Sequence, residues 1–466
     1  MAGTTFRIET QAGSRIIDLS RGLEMLQEGM ARMRAPVPAP NMFELPVAPI
    51  TAPTAEALAP PRRSAATLAQ SAPDELMKYI NAVKTLKQQK RPGSSVSIYD
   101  EFVAIHLGVV GLARSQSALN KAFNLTGVSG LATGPQAGRD GAHGGPAFLP
   151  WHRQYLADFE AALQTVDPTV RLSYWDWNDR TGTRALLTDA LMGGDGNWDA
   201  ASGASPVDRG HFTVADFPVA PELHYFTVDR NNPFLGADNY GTSLQRNILP
   251  RNLVGFDENQ LAGSSDIARL TAKTVYGEDN VNPAISTTGF RQELEGGFRL
   301  HGWGHTWVGG SMLTMASPND PMFFLHHANI DRLWAEWQLA RRQEWETANP
   351  GGTYDYALHY YQNPAQTDPI PGHEVDHLMW PWDGGASSPA TYTPGATFPT
   401  SGHPHPDLAG ITLTAQQARN LYDFLFGPFA WPISFDPLPI IREVHVRDVL
   451  DPYGAGAYYD TIAPVS

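Results

Sequence analysis

His301-Gly-Trp-Gly-His305, followed by Asn319-Asp-Pro-Met-Phe-Phe-Leu-His326-His327-Ala-Asn-Ile-Asp331-Arg-Leu-Trp334, is the stretch whose reading decides the fold. Residues i and i+4 share one face of a helix, so His301 and His305 can aim two imidazoles at one ion. A third imidazole from a later helix completes a three-nitrogen site that keeps one position open for a small molecule. Neighbouring helix residues point about 100° apart, so His326 and His327 cannot both face the ion. A second group of histidines, His106, His143 and His152, lies upstream. Imidazole binds zinc, copper, iron and nickel, and the ligand type alone leaves the metal open. The same arrangement occurring twice, with no carboxylate among the ligands, points to a pair of metals doing one job. The zinc-protease form of the His-x-x-x-His pair needs Glu after its first histidine. Gly302 stands there and removes that reading.

Composition excludes several partners. The chain has 466 residues and is 42% hydrophobic, enough to bury a substantial core. With 33 basic against 48 acidic residues the net charge is −15 and no basic patch stands out, which argues against nucleic acid and anionic membranes. Cysteine is absent, so disulfides, thiolate metal sites and cysteine nucleophiles are excluded. No run of eighteen apolar residues exists, and the N-terminus lacks the basic-then-apolar pattern of a signal peptide. The twin Arg62-Arg63 lies too far in, before a polar stretch, to direct export. The expectation is a cytoplasmic protein.

Local patterns organise the rest. Residues 14–34 suggest a short amphipathic helix, and residues 35–61 form a Pro/Ala-rich linker. Two units follow: an N-terminal extension with linker over 1–60, and a core over 61–466. Pro73-Asp-Glu75 is a good helix start, with Leu76, Tyr79, Ile80, Val83 and Leu86 at helical spacing behind it. Tyr99, Phe102, Val103 and His106 predict a second helix ending near Gly108. Residues 150–163 predict a third, while His301–Trp307 and Phe323–Trp337 supply two more. The 43 glycines and 38 prolines mean many turns, and they crowd the region from the 180s to the 280s and residues 372–410. The run from Ile440 to Val449 alternates like a strand. Met322-Phe-Phe-Leu325 reads as core packing whose rings also wall the metal site, and Trp175 and Trp177 read as structural.

At these residues the chain resembles the type-3 copper proteins: tyrosinases, catechol oxidases and haemocyanins. The matching stretches are Tyr99-Asp-Glu-Phe-Val-Ala-Ile-His106, His143-Gly-Gly-Pro-Ala-Phe-Leu-Pro-Trp-His152, Tyr174-Trp-Asp-Trp177, Gly193-Gly-Asp-Gly196, His301-x-x-x-His305-x-Trp307, and the run from Asn319 to Trp334. The lack of cysteine is similar to the bacterial branch, without the cysteine–histidine cross-link of other members. The resemblance implies a mainly α-helical, tyrosinase-like core with a central four-helix bundle, long loops and a few short strands. It implies two copper ions, one on His106, His143 and His152, the other on His301, His305 and His327. Asp331, one turn beyond His327, is expected to hold an imidazole N–H.

Departures from the family pattern bear on the reaction. Members that hydroxylate monophenols usually carry Asn after the first ligand of the second copper, working with an upstream Glu on a water that takes the phenol proton. Here Glu295 is the candidate acid, but Gly302 fills the Asn position. Thr306 follows the second ligand, and Met315 fits the residue gating the site mouth. Glycine cannot hold a water by a side chain, so monophenol deprotonation should suffer. The expected function is oxidation of o-diphenols, with o-aminophenols as a further class, to quinones while dioxygen is reduced to water. A full tyrosinase is the alternative. A haemocyanin-like carrier is the minor one, since carriers add a β-sandwich for which the sequence shows no room. The expected partners are a small phenol and dioxygen, with a homo-oligomer and a copper-delivery partner both compatible with the sequence.

Overall fold

The computed structural model describes residues 5–10, 13–18, 60–91, 96–111, 141–199, 204–220, 243–248, 260–277, 289–314, 316–360, 372, 374–383, 434–435, 438–439 and 442–462. Helices dominate among them. Helix α1 (Ala65–Ser71) starts where Ser64 Oγ accepts the Thr67 N–H at 3.2 Å. Helix α2 (Pro73–Gln88) has Pro at its first position and Asp74 and Glu75 in its first turn, where a missing N–H costs nothing and negative charge is favoured. Its buried residues include Leu76, Tyr79, Ile80, Val83 and Leu86, as the spacing predicts.

Four helices carry five of the six expected ligands: α3 (Ile98–Gly111), α4 (Phe148–Val166), α8 (His301–Val308) and α9 (Met322–Ala348). Helix α3 runs three residues past Gly108. Helix α9 continues eleven residues beyond Trp337, its outer turns held by Arg341–Glu344 and Arg342–Glu346 ion pairs at helical spacing. Among the described residues between the two histidine groups the α-helices are short: α5 (Arg180–Leu186), α6 (Ser264–Thr271) and α7 (Phe290–Gly296).

An aromatic core joins α3, α4 and α9. Phe159 stacks on Phe324 with ring centroids 3.5 Å apart, and Phe102 meets Phe159 edge-on at 5.2 Å. Tyr99 closes the cluster against Phe324 at 5.8 Å, its hydroxyl donating to the Pro318 carbonyl. The alternation inside Met322-Phe-Phe-Leu325 divides the labour. Phe324 packs into this core, while Phe323 stacks against the His327 ring at 4.1 Å.

Buried ion pairs fix how the helices enter. Arg246 grips Asp320 through two bonds of 2.7 Å, both side chains fully buried, and also donates to the Gly193 carbonyl at 3.0 Å. The Gly193-Gly-Asp-Gly196 loop is thereby tied to the start of α9. Arg62 is equally buried, contacting Glu160 at 2.6 Å and the Tyr459 hydroxyl at 2.9 Å. Arg62 thus ties the stretch before α1 to the Tyr458–Tyr459 segment, reinforced by the Arg62 N–H donating to the Tyr458 carbonyl.

Strands are few and short, and two expectations change here. Residues 14–18 do not begin a helix. Strand β1 (Thr5–Thr10) pairs antiparallel with β2 (Gly13–Asp18), Phe6 opposite Ile17 and Ile8 opposite Arg15. Two residues separate the runs and Phe6 and Ile8 alternate with polar neighbours, a hairpin pattern that outweighs the helical one. Residues 19–34 and 35–59 lie outside the described residues. Among the described residues of the alternating run near the C-terminus, Glu443–His445 form a strand (β6), paired with β3 (Leu378–Asp383). It then turns into a 3-10 turn, because Asp448 caps the His445 N–H at 2.7 Å. Strands β4 (Ser434–Phe435) and β5 (Leu438–Pro439) form a further small pair.

Candidate metal centre

The first histidine group is built from two helices and a loop. His106 lies on α3, His152 on the opening turns of α4, and His143 in the loop before α4. Their rings lie 4.9 Å (His106–His143), 5.8 Å (His106–His152) and 5.1 Å (His143–His152) apart between centroids. The loop turns through Gly144, whose φ of 68° suits glycine. That turn aims the Gly144 N–H at Glu295 Oε1, 2.6 Å away.

The second group follows the i, i+4 reading. His301 and His305 stand on α8 with centroids 4.8 Å apart, and His327 on α9 completes it at 5.0 and 5.4 Å. The two groups share a wall, since His152 stacks on His327 at 4.3 Å. In each group the possible ligand atoms all lie within 4.8 Å of one another.

Hydrogen bonds decide which ring nitrogen faces inward. A carbonyl oxygen can only accept, so each imidazole nitrogen bonded to one carries a proton. His152 Nδ1–H donates to the Phe148 carbonyl at 2.8 Å, His301 Nδ1–H to that of Glu295 at 3.1 Å, and His305 Nδ1–H to that of Met312 at 2.8 Å. The Nε2 lone pairs of these neutral rings are left for another partner. Nε2 of His152 and of His301 is buried with no hydrogen-bond partner. His305 Nε2 and His327 Nε2 face each other at 3.2 Å. Two nitrogens about 2.0–2.1 Å from one tetrahedral ion would stand about 3.3 Å apart. The donor set fits a metal in each group.

His326, close enough to fall in the same cluster as His301, His305 and His327, has both ring nitrogens engaged elsewhere. Its Nε2–H donates to the His301 carbonyl at 3.1 Å, and its Nδ1 accepts the Trp177 indole N–H at 3.1 Å. No lone pair remains for an ion. The ring sits where α8 is thinnest: a Cβ on Gly304 would lie 2.2 Å from His326 Cε1. Gly304→Ala is therefore expected to push the helices apart and cost about 1–3 kcal/mol, the usual scale of overpacking. Chemical denaturation reads this, and an unchanged midpoint would show that α8 yields freely.

Burial keeps the imidazoles neutral. His152, His301, His326 and His327 are all held well below the ordinary histidine range, first by desolvation and then by neighbouring rings. His305 is lowered to about 4, again chiefly by burial. Neutral nitrogens are ready ligands at neutral pH. The unfolded chain, with ordinary histidines near about 6.5, takes up these protons first as pH falls. Stability is thus whole above about 6.5 and is expected to drain as pH falls towards about 4. Denaturation midpoints across that range should fall steeply, and a flat profile would contradict neutral burial.

The remaining expected residues divide. Glu295 lies between the groups: its carbonyl holds His301, one carboxylate oxygen holds Gly144, and the other accepts Arg291 at 2.6 Å. Desolvation raises its pKa, opposed by Arg291. Gly302 and Thr306 are half-buried on α8, with the Thr306 hydroxyl donating to the Gly302 carbonyl at 2.9 Å. Met315 lies outside the described residues. Asp331 corrects an expectation, for no hydrogen bond joins it to a described imidazole. Its oxygens take Arg153 Nε at 2.6 Å, the Tyr459 hydroxyl at 2.7 Å and Arg62 at 3.4 Å. Two buried guanidiniums outcompete a neutral ring for a carboxylate. Trp177 and Gly304 were not legible as site residues, because His326 reaches them from a distant segment; Arg291, one turn from Glu295 on the same helix, was legible at helical spacing and went unread.

The common central domain of tyrosinase matches residues 96–340. The chain belongs to the tyrosinase family. Tyrosinase from Streptomyces glaucescens is 33% identical over 322 residues, covering 64% of this chain and 97% of that protein. Grixazone synthase from Streptomyces griseus is 35% identical over 283 residues, 57% of this chain and 80% of that one. Among solved structures, a polyphenol oxidase from Thermothelomyces thermophila aligns with a TM-score of 0.45 and 20% identity over 70% of this chain and 82% of that chain. As a member of this dicopper family the protein is a copper oxidase that acts on phenolic substrates with dioxygen. Among the described residues no helix is long and apolar enough to cross a membrane.

Proposed function

We propose that His106, His143 and His152 hold one copper, that His301, His305 and His327 hold the other, and that the enzyme oxidises o-diphenols to o-quinones with little action on monophenols. Copper, when bound, supplies the electron-accepting and dioxygen-reducing chemistry. Each o-diphenol gives up two electrons and two protons, so two diphenols reduce one dioxygen to two waters.

The observation that carries the diphenol preference is the pairing of Gly302 with a restrained Glu295. Gly302 adds no side chain beside His301 that could hold a water. Glu295 has both carboxylate oxygens engaged, by the Gly144 N–H and by Arg291. The ion pair with Arg291 opposes but does not overcome the burial that raises its pKa, so what restrains Glu295 is the engagement of both its oxygens. The Thr306 hydroxyl is committed to the Gly302 carbonyl. Among the described residues no group at this rim is thus poised to take a phenol proton, and general-base help of that kind is worth roughly 10²–10⁴-fold. An o-diphenol, more acidic and already at the catechol oxidation level, loses less without it. The buried imidazoles hold the reacting centre, and Phe148, Phe323 and Trp151 around them keep water out.

Turnover by the copper-loaded chain on a matched phenol and catechol tests this. The catechol should be oxidised promptly and the phenol slowly or after a long lag. A phenol consumed as fast as its catechol would place the protein with the full monophenol hydroxylases.

A further inference from the structure

We propose that Trp177 and His326 form a hydrogen-bonded prop that sets the first turn of α8, and with it the aim of His301. Indole Nε1–H can only donate, so His326 Nδ1, 3.1 Å away, must be the accepting nitrogen. The ring's proton then sits on Nε2 and goes to the His301 carbonyl at 3.1 Å. This is the opposite tautomer to that of His152, His301 and His305, which donate through Nδ1. Both Trp177 and His326 are buried.

Helix α8 needs such a prop. It has eight residues, and its N-cap Leu300 makes no side-chain capping bond. Isolated helices shorter than about 12–15 residues are marginal, so the seat of this one comes from tertiary contacts. The His326 ring lies nearly parallel to that of His301, 17° between planes at 5.6 Å, and fills the space left by the missing Gly304 Cβ. Trp177 is itself located by α9, because the Trp175 N–H donates to the Leu325 carbonyl at 2.8 Å. The chain of contacts runs from α9 through the Tyr174–Trp177 segment and His326 into the turn that begins with His301. Any buried histidine needs partners for its ring nitrogens; here one of them is the backbone of His301 itself, in the first turn of α8. A prop predicts selective damage at the second histidine group.

The inference rests on the ligand reading proposed above, and copper titration of the metal-free chain separates the two. His326→Gln keeps an acceptor and a donor on one planar head. It should bind two coppers at close to wild-type affinity. Trp177→Phe keeps the ring but removes the donor, and His326→Leu removes both bonds. Each should keep one tight copper and weaken the other by about 10–100-fold, the range for lost groups behind a metal ligand. In the metal-free wild type, nitrogen-15 spectra should show His326 protonated at Nε2 while His152, His301 and His305 are protonated at Nδ1. Binding of a single copper by His326→Gln would make His326 a ligand and overturn the prop. So would wild-type affinity at both sites in Trp177→Phe, or an Nδ1-protonated His326. These last two results decide the matter even if His326→Leu does not fold. His305→Ala serves as the control: two undiminished coppers there would remove the ligand reading instead.

Discussion

Gly302→Asn is expected to raise monophenol turnover by roughly 10²–10⁴-fold while o-diphenol turnover changes little. The new amide oxygen would lie one residue after His301, on the side of α8 that is half-exposed, where it can hold a water that Gly302 cannot. Glu295 is already in the neighbourhood, its carbonyl bonded to His301 and its side chain to the His143 loop. Only the monophenol needs its proton taken, so only its rate should gain. The lower end of the range is expected, because both Glu295 oxygens stay engaged, one by Arg291 at 2.6 Å and the other by the Gly144 N–H. Folding should not suffer, since glycine inside a helix costs about 0.5–1 kcal/mol relative to alanine. Equal changes in both rates would move the control of specificity to Thr306 or to Met315.

His305→Ala and His152→Ala are each expected to abolish turnover on every phenol. His305 Nε2 stands 3.2 Å from His327 Nε2, and its Nδ1–H is held by the Met312 carbonyl. Removing the ring deletes one of three nitrogens from the set, and the described histidine nearest to replace it, His326, is committed to Trp177 and His301. His152 stacks on His327, so its loss opens the wall between the groups as well. Each variant should retain one copper and lose the other. A dicopper oxidation needs both, and full activity in either variant would end the ligand assignment.

Much of this was legible in the sequence for identifiable reasons. The spacing of Leu76, Tyr79, Ile80, Val83 and Leu86 announces α2 because a buried helix face repeats with the helical period. The His301–His305 pair announces the second group because i and i+4 lie on one face. Adjacent histidines pose a question that periodicity answers only halfway. It says that one of His326 and His327 must turn away, but not which; the bonds of His326 to the Trp177 indole and the His301 carbonyl favour His327 as the ligand. Asp331 shows the same limit in reverse. Its position one turn after His327 describes its own helix correctly and says nothing of Arg153, Arg62 and Tyr459, which arrive from 178, 269 and 128 residues away and claim its oxygens. At the N-terminus, residues 14–18 carry a pattern that both periods can accommodate, and pairing with Thr5–Thr10 resolves it as a strand. Long-range polar partners, more than element type, are what one-dimensional reading misses.

The copper-to-chain ratio of the loaded wild type, set beside that of His305→Ala, bears most directly on the central claim. Two histidine groups, each able to bring its ligand atoms within 4.8 Å of one another, predict saturation at two coppers per chain and at one in the variant. Wild-type saturation at a single copper, or a variant that still takes two, would contradict it.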